Sequence, residues 1–260
     1  MSYEEKNKDE GISRVQENHI EGRNAVLEAF RSGKTIDKLY VLDGCQDGPV
    51  KSITREARKY DTIINYVSKE RLDQLSETGK HQGVIAVSAA YAYSEVEDML
   101  EAARAKGEAP FLFILDGIED PHNLGAIIRT ANLCGAHGVI IPKRRAVGLT
   151  PTVAKTSAGA INYTPVAKVT NISATIKELK EQGMWFVCAD MGGTSMYDLN
   201  LTGPIGLVIG NEGEGVSKLV KENCDMVASI PMKGDIDSLN ASVAAGVLAY
   251  EIVRQRITKG

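Results

Sequence analysis

The sequence has no excess of positive charge, since 30 Lys and Arg residues stand against 34 Asp and Glu residues among 260 in all. A formal net charge of −4 gives no general attraction to nucleic acid, so any such contact must come from cations gathered locally. The sequence also lacks an apolar run of the ~18 residues expected of a membrane span. Its charged beginning has no apolar core of a secretory signal, and we therefore expect a cytoplasmic protein without a membrane partner.

Cysteine is scarce, and the four that are present lie far apart in the sequence: Cys45, Cys134, Cys188 and Cys224. None of their spacings is typical of a metal site, in which ligands come in close pairs. We interpret them as reduced thiols, most of them buried in a core, and we expect no bound metal.

The order of helix-like and strand-like segments predicts two α/β domains. Residues 1–15 are polar without an apolar period, which predicts a disordered tail. Residues 16–90 alternate strands with helices, which favours a small, mostly parallel sheet covered by helices. Residues 91–107 are acidic and are interpreted as a linker that merges into a surface helix. Residues 108–260 form the second domain, whose first strand, 110–115, is apolar throughout and typical of a parallel sheet buried on both faces.

Three short segments of the second domain share one pattern. The first motif is Asp120–Asn132, the second is Ile209–Val216 and the third is Ile230–Ser242. Each joins an apolar strand-like run to a turn that contains Gly or Asn, and then to a helix-like run. Each motif alone is a weak signal, but the three in this order and at this spacing are the candidate site.

The first motif places polar side chains at the start of a helix. Asn123 lies near the predicted helix start and Arg129 lies in the second turn. Free N–H groups at a helix start and the planar guanidinium of an Arg both suit a phosphate. The alternative is that Asn123 is only a helix cap and that Arg129 is a surface residue in a salt bridge.

The second and third motifs carry different chemistry. The loop 210–215 lacks the G-x-G-x-x-G spacing, and its two carboxylates would repel a pyrophosphate, which counts against a nucleotide-binding oxidoreductase. Acidic side chains fit a cationic ligand such as a sulfonium; the alternative is a turn whose acids are simply solvated. In the third motif, Ser238 or Asn240 can cap the following helix or hold a substrate hydroxyl.

Taken together and in this order, the three motifs resemble those of the SpoU (TrmH-like) family of RNA ribose 2′-O-methyltransferases. The resemblance implies a C-terminal α/β domain with a deep trefoil knot that acts as a homodimer, and S-adenosylmethionine as cofactor. It implies that Gly210, Ile230 and Leu239 bind the cofactor, mostly through backbone. It matches Gly125 to a family glycine and implies catalytic roles for five polar residues: Asn123, Arg129, Glu212, Ser238 and Asn240. A guanidinium loses its proton only above pH ~12, so for Arg129 we favour phosphate clamping and alkoxide stabilisation over a role as base.

The N-terminal segment carries a second, less specific resemblance. Gly22–Val26 and His81–Val84 are similar to the substrate-binding domain of the family's ribosomal RNA branch, which has a ribosomal-protein-like α/β fold. Leu149–Ala160 also looks like a loop and helix of that branch. The resemblance therefore implies RNA as partner, with a guanosine of 23S ribosomal RNA as target. The alternatives are a transfer-RNA ribose methyltransferase, or a non-catalytic RNA-binding or ribosome-assembly factor on the same fold.

RNA contacts require local basic surface in this acidic chain. Lys143, Arg144 and Arg145 form the densest basic run, beside the first motif. Arg23 extends the predicted RNA surface into the N-terminal domain, together with three cations of one helix: Arg55, Arg58 and Lys59. The alternative for the run 143–145 is a solvated surface loop.

Overall fold

The computed structural model describes residues 18–236 and 238–259, so the predicted tail 1–15 lies outside the described residues. The described chain forms a four-stranded sheet and a six-stranded sheet, with helices packed against both. This confirms the predicted α/β class. Within these two ranges, none of the helices combines the length and the apolar character needed to cross a bilayer.

The N-terminal sheet has the strand order β1-β4-β2-β3. Its strands are β1 (Asn18–Glu21), β2 (Ile36–Leu42), β3 (Ile63–Val67) and β4 (Val84–Ser88). Its helices are α1 (Arg23–Arg31), α2 (Gly48–Lys59) and α3 (Lys69–Leu75). Val26, Phe30 and Ile53 of α1 and α2 pack on Leu39 and Val41 of β2 to form one apolar core.

The prediction that this first sheet is mostly parallel is wrong. Only β2 and β3 are parallel, whereas β4 runs antiparallel to both β1 and β2. For β4 to run parallel to β2, the chain would have to return along the roughly 23 Å length of β2. Helix α3 rises only about 10 Å over its seven residues, which is too short for that return. The chain instead enters β4 beside the carboxyl end of β2, where Leu42 N donates to Gly83 O at 2.8 Å.

The second sheet is parallel throughout and has the order β10-β8-β9-β5-β6-β7. Its strands are β5 (Phe111–Asp116), β6 (Gly138–Pro142), β7 (Val166–Val169), β8 (Trp185–Ser195), β9 (Ile205–Gly210) and β10 (Met226–Ser229). The helices are α4 (Val96–Lys106), α5 (Pro121–Leu133), α6 (Pro151–Thr156), α7 (Ile172–Glu181), α8 (Lys218–Asn223) and α9 (Ala241–Lys259).

Strand β5 shows why the apolar run 110–115 predicted a sheet buried on both faces. Phe111, Phe113 and Leu115 point into the core formed with α5, α6 and α9. Leu112 and Ile114 point into the opposite core, formed with α4, α7 and α8. Alternate side chains of a strand face opposite sides, so a strand between two helical layers must be apolar at every position.

Helix α4 lies where the sequence predicts a linker merging into a surface helix. Its residues Met99 and Leu100 are buried in the second of these cores, and Ala103 is buried as well, so the helix packs as a layer of the second domain. Two short strands, β1 and β7, have no counterpart in the sequence-based prediction because each spans only four residues and includes polar ones. The domain boundaries and the trefoil knot stay predictions.

A buried polar network, hereafter the interdomain network, joins the two domains. Lys168 Nζ of β7 donates to Asp37 Oδ1 of β2 at 2.6 Å, and the side chains are 13% and 6% exposed. Tyr93 donates to the same carboxylate at 3.0 Å and accepts from Leu149 N at 3.1 Å. Burial lowers the pKa of Lys168, which the Asp37 carboxylate partly offsets, and burial together with Asp37 raises the pKa of Tyr93. The network therefore fixes one domain against the other.

Candidate active site

The three motifs meet at the carboxyl edge of the parallel sheet. The last residues of β5 and β9, Asp116 and Gly210, are register partners, so the first two motif loops leave the sheet side by side. The third motif follows β10 at the same edge, because all neighbouring strands of the sheet are parallel. Parallel strands thus bring together polar residues that lie far apart in sequence.

Helix α5 begins earlier than the sequence predicts, at Pro121 rather than Asn123. Asp120 is the N-cap, with extended backbone and its Oδ1 accepting from His122 N at 3.0 Å. Pro121 suits the first helical position, where no N–H partner is needed. Asn123 therefore lies within the first turn and is not a cap, which leaves its side chain free to bond elsewhere.

The side chain of Asn123 is buried against the other two motifs. Its Nδ2 donates to Glu212 Oε1 at 2.9 Å, and its Oδ1 accepts from Asn240 Nδ2 at 3.0 Å. Asn240 Nδ2 also donates to Glu212 Oε1. Each of the three residues, hereafter the amide–carboxylate cluster, comes from a different motif, so one hydrogen-bonded unit joins all three loops.

Asn240 combines the two roles that the sequence left open, capping and bonding within the site. Its Oδ1 accepts from Ser242 N at 3.0 Å and from Val243 N at 3.3 Å at the start of α9. Its Nδ2 is then oriented toward Asn123 and Glu212. An amide has both acceptor and donor capacity, so one side chain can satisfy a helix start and a neighbouring carboxylate.

The second motif loop is ordered by its own asparagine. Asn211 Oδ1 accepts from Gly213 N at 3.0 Å and from Glu214 N at 2.6 Å, which closes the turn. A Cβ at Gly210 would overlap the backbone of Gly215, so the turn can close only on a glycine. These contacts hold Glu212 in place before any ligand binds.

Position 125 also requires a glycine for a steric reason. It lies within α5, and a Cβ there would overlap the hydroxyl of Thr156 in α6. Thr156 Oγ1 also donates to Pro121 O at 3.2 Å, in the first turn of α5. The glycine therefore allows α5 and α6 to approach closely, and a larger residue would push the first motif out of place.

A cleft of about 570 Å³ opens beside the cluster, between the first and second motif loops. This volume lies in the range of small-molecule sites, roughly 300–1,000 Å³. Its lining carries one cation, Arg145, and five carboxylates: Asp116, Glu119, Asp120, Glu212 and Glu214. Such an anionic lining accepts hydrogen bonds from hydroxyls or attracts a cation, and it repels phosphate.

Arg129 lies outside this cleft. Its position six residues after Asn123 places it about 120° away around the axis of α5. Its side chain is exposed and forms no ion pair or hydrogen bond within the described residues, so the salt-bridge alternative finds no partner there. The structure therefore brings Asn123, Glu212 and Asn240 together and leaves Arg129 facing outward.

The remaining third-motif residues are distributed around the loop after β10. Ser238 and Leu239 are exposed, and Ile230 is half-buried at the end of the strand. Gly210 is buried beneath the second motif loop. None of these four lines the cleft.

The predicted RNA-binding cations have different surroundings. Lys143 forms an ion pair with Asp61 of the N-terminal domain, whereas Arg144 and Arg145 are exposed. Arg145 adopts a left-handed backbone with φ 55°, which is costly for a residue with a side chain and turns it into the cleft. Arg23 is held by Asp47 at 2.6 Å and donates to Gln82 O at 3.0 Å, so most of its donors are occupied.

Sequence reasoning missed two residues that shape the site. Asp116 Oδ2 accepts from Ser217 N at 2.8 Å and ties β5 to the end of the second motif loop. Asn211 closes that loop through its side chain, as described above. The signal for Asp116 was present, since it is the polar residue that ends the apolar strand β5. Asn211 could have been found from its place two residues before a glycine, which is typical of an Asx-turn.

The site lies at the carboxyl edge of a parallel sheet and joins two amides and a carboxylate from three loops. Many α/β enzymes have their active site at this edge. A family model described as SpoU rRNA Methylase family matches residues 110–250, and one described as RNA 2′-O ribose methyltransferase substrate binding matches residues 19–94. The chain therefore belongs to the SpoU rRNA methylase family and is a methyltransferase of that family. This confirms the family and enzyme class predicted from the three motifs.

Three similar proteins cover between 63% and 93% of the chain. YacO of Bacillus subtilis (strain 168), whose name assigns it to the TrmH family of tRNA/rRNA methyltransferases, is 49% identical over 93% of this chain and 97% of its own. The SpoU methyltransferase AviRb from Streptomyces viridochromogenes, solved in complex with AdoMet, is 26% identical, with a TM-score of 0.58 over 92% of this chain and 90% of its own. The A. aeolicus TrmH/SpoU tRNA modifying enzyme is 30% identical, with a TM-score of 0.53 over 63% of this chain and 85% of its own.

Proposed function

We propose that this protein transfers a methyl group from S-adenosylmethionine to a ribose 2′-hydroxyl of RNA, with a guanosine of 23S ribosomal RNA as the target. The observation that carries the proposal is the amide–carboxylate cluster, in which Asn123, Glu212 and Asn240 lock the three motif loops together. The substrate-binding match over residues 19–94 supports an RNA substrate. The AdoMet complex of AviRb supports the methyl donor.

The residues present fit such a methyl donor. The third motif loop exposes three apolar side chains that an adenosine would cover: Met232, Ile236 and Leu239. Glu212, bonded to Asn240 at the end of that loop, supplies a negative charge suited to a sulfonium. Gly210, Ile230 and Leu239 would hold the cofactor, mostly through backbone. The cofactor supplies an activated methyl carbon, so the protein's own contribution is alignment and help with the hydroxyl proton.

Acidic and basic residues of the chain have different roles in the proposed reaction. Carboxylates of the cleft accept hydrogen bonds from ribose hydroxyls, with Glu212 held in place by Asn123 and Asn240. Arg129 clamps a phosphate of the target nucleotide and stabilises the alkoxide that forms as the 2′-hydroxyl loses its proton to water. Its guanidinium stays charged at neutral pH, so it acts as a fixed cation. Ser238 lies on the third motif loop, where it would help to shape the cofactor pocket outside the cleft.

This mechanism requires a second copy of the chain. Arg129 faces away from the cleft of its own chain, and Leu133, one turn further along α5, is also exposed. Val243 and Tyr250 of the adjoining helix α9 are exposed apolar side chains as well. We infer a homodimer in which α5 and α9 of two chains pack together, so that Arg129 of one chain completes the site of the other.

Mixing two inactive variants tests this arrangement. Arg129→Ala and Asn240→Ala chains, unfolded and refolded together, form heterodimers in which one site has both residues intact. An equal mixture should recover about a quarter of native activity, because half of the dimers are mixed and each has one complete site. An inactive mixture of confirmed heterodimers, or a fully active monomer, would contradict the shared site.

Labelled S-adenosylmethionine incubated with total RNA tests the function itself. We expect label in 23S ribosomal RNA, as a nucleotide resistant to alkaline cleavage because its 2′-hydroxyl is blocked, and none with Arg129→Ala. Label in transfer RNA instead would favour the transfer-RNA alternative. RNA binding without label in any fraction would favour a non-catalytic ribosome-assembly factor.

A further inference from the structure

The acidic cleft continues into a basic groove that runs onto the N-terminal domain. Arg145 lines both the cleft and a neighbouring cavity of about 390 Å³ between the domains. That cavity shares Lys143 and Arg144 with a second one, of about 320 Å³. The second shares Arg58 and Tyr66 with a third, of about 480 Å³, on the N-terminal domain. The shared lining residues place the three cavities next to one another, and together they are called the basic groove hereafter.

The charge of the basic groove is opposite to that of the whole chain. Six cations line it, against two acids, Asp43 and Asp61. The cations are Lys38, Lys51, Arg58, Lys143, Arg144 and Arg145. Of these, only Lys143 has an ion-pair partner within the described residues, namely Asp61. The other cations leave their donors free for a polyanion.

Two aromatic side chains line the basic groove, Tyr40 and Tyr66, and Tyr66 is the more exposed. Tyr66 of β3 is 52% exposed, and its ring makes no contact with another ring in the described part of the chain. Tyr60, similarly exposed, differs because it stacks on Phe30 at 6.2 Å between ring centroids and lies outside the groove lining. A free aromatic face among cations is the combination that binds an unpaired base and its phosphates.

We propose that the basic groove binds the unpaired RNA segment next to the target nucleotide, with a base stacked on Tyr66 and phosphates on Arg58 and Arg144. This rests on the proposed function, because the RNA segment reaches the groove only if the target ribose is bound in the cleft. The carboxylates of the cleft repel phosphate, so the backbone turns toward Arg145 and leaves along the groove. A duplex keeps its bases stacked on each other and has none to place on Tyr66.

A binding measurement on the full-length chain tests the groove without requiring catalysis. The probe is a fluorescein-labelled RNA 20-mer of mixed sequence, single-stranded or annealed to its complement, followed by anisotropy. Tyr66→Ala should weaken single-strand binding about tenfold, and Tyr66→Phe should retain it, because the ring supplies the stacking. Native affinity in Tyr66→Ala, or equal losses in Tyr66→Ala and Tyr66→Phe, would overturn the stacking role.

The phosphate contacts have a matched control. Arg58→Gln/Arg144→Gln should lower the slope of log affinity against log salt by about 1.4, since each phosphate contact on a single strand contributes roughly 0.7. Arg31→Gln/Arg71→Gln removes the same charge from exposed arginines outside the groove lining and should leave the slope unchanged. Equal changes in the two pairs, or equal affinity for duplex and single strand, would overturn the groove.

The outcome is separable from that of the proposed function. If the native protein transfers no methyl group but the groove variants weaken binding as expected, the proposed function fails and the groove stands. If ribosomal RNA is methylated and the groove variants bind normally, the groove alone is wrong.

Discussion

The two sheets of the molecule differ in strand direction, and the difference determines where each can hold a ligand. In the six-stranded sheet every neighbouring pair is parallel, so all strands have their carboxyl ends at one edge, and Asn123, Glu212 and Asn240 meet there. In the four-stranded sheet β4 is antiparallel to both of its neighbours, so the carboxyl ends of the strands lie at both edges. The first arrangement brings polar side chains together in one site, and the second leaves a surface along β3 that suits the binding of RNA.

The largest expected effect is on methyl transfer at the site of the six-stranded sheet. Arg129→Ala should lower methyl transfer about a thousandfold, as expected when a fixed charge aimed at the developing alkoxide is lost. Arg129→Lys should recover little, because an ammonium lacks the bidentate fork. The measurement is transfer of labelled methyl to RNA, with unfolding temperature as the control, since an exposed residue without partners should not alter the fold. Near-normal turnover in Arg129→Ala would remove it from the mechanism.

The next effect concerns the connection between the two regions. Asp37→Asn should destabilise the protein by about 3 kcal/mol, because it leaves the Lys168 ammonium buried without its counter-charge. Urea unfolding at pH 7 measures this. The double variant Asp37→Asn/Lys168→Met should regain much of the loss, since no buried charge then remains. If the double variant were no more stable than Asp37→Asn, the charge would not be the cause.

A smaller effect distinguishes Glu212, whose carboxylate joins the motifs, from Glu214 in the same loop. Glu212→Gln should lower methyl transfer about tenfold, since a neutral amide accepts weaker hydrogen bonds from Asn123 and Asn240. Glu214→Gln is the matched control, because Glu214 lies in the same loop and its carboxylate makes no hydrogen bond within the described residues. Initial rates at saturating RNA measure both. Equal losses would show that loop charge, and not the cluster, matters.

The smallest effect belongs to the N-terminal sheet. Burial tends to raise the pKa of Glu21, but hydrogen bonds from Ser76, Thr78 and Glu77 N lower it to about 2. A carboxylate with a lowered folded-state pKa stabilises the fold above its unfolded value and loses that contribution as pH falls to about 2. Glu21→Gln should therefore cost less than about 1 kcal/mol at pH 7, because solvent screens the group. The difference from the native chain should vanish between pH 4.5 and about 2, as followed by thermal unfolding.

Periodicity and motif order allowed most of the second domain to be predicted. The apolar run 110–115 indicated a strand buried on both faces, and the structure has this strand at Phe111–Asp116. The start of α5 was missed because Pro121 and the cap at Asp120 extend the helix by two residues. Strand direction in the first sheet was missed because it depends on how far α3 carries the chain.

The amino-acid sequence by itself determined the α/β class, the three motifs and the residue types that they bring to the site. Local patterns suffice for these, because helix period, strand burial and turn chemistry act over a few residues. Only the tertiary structure decided that Asn123, Glu212 and Asn240 form one hydrogen-bonded cluster and that Arg129 faces away from it. It also decided that Arg23 is occupied by Asp47. These contacts join residues far apart in the chain, and their geometry is set by strand order and packing, which no local pattern contains.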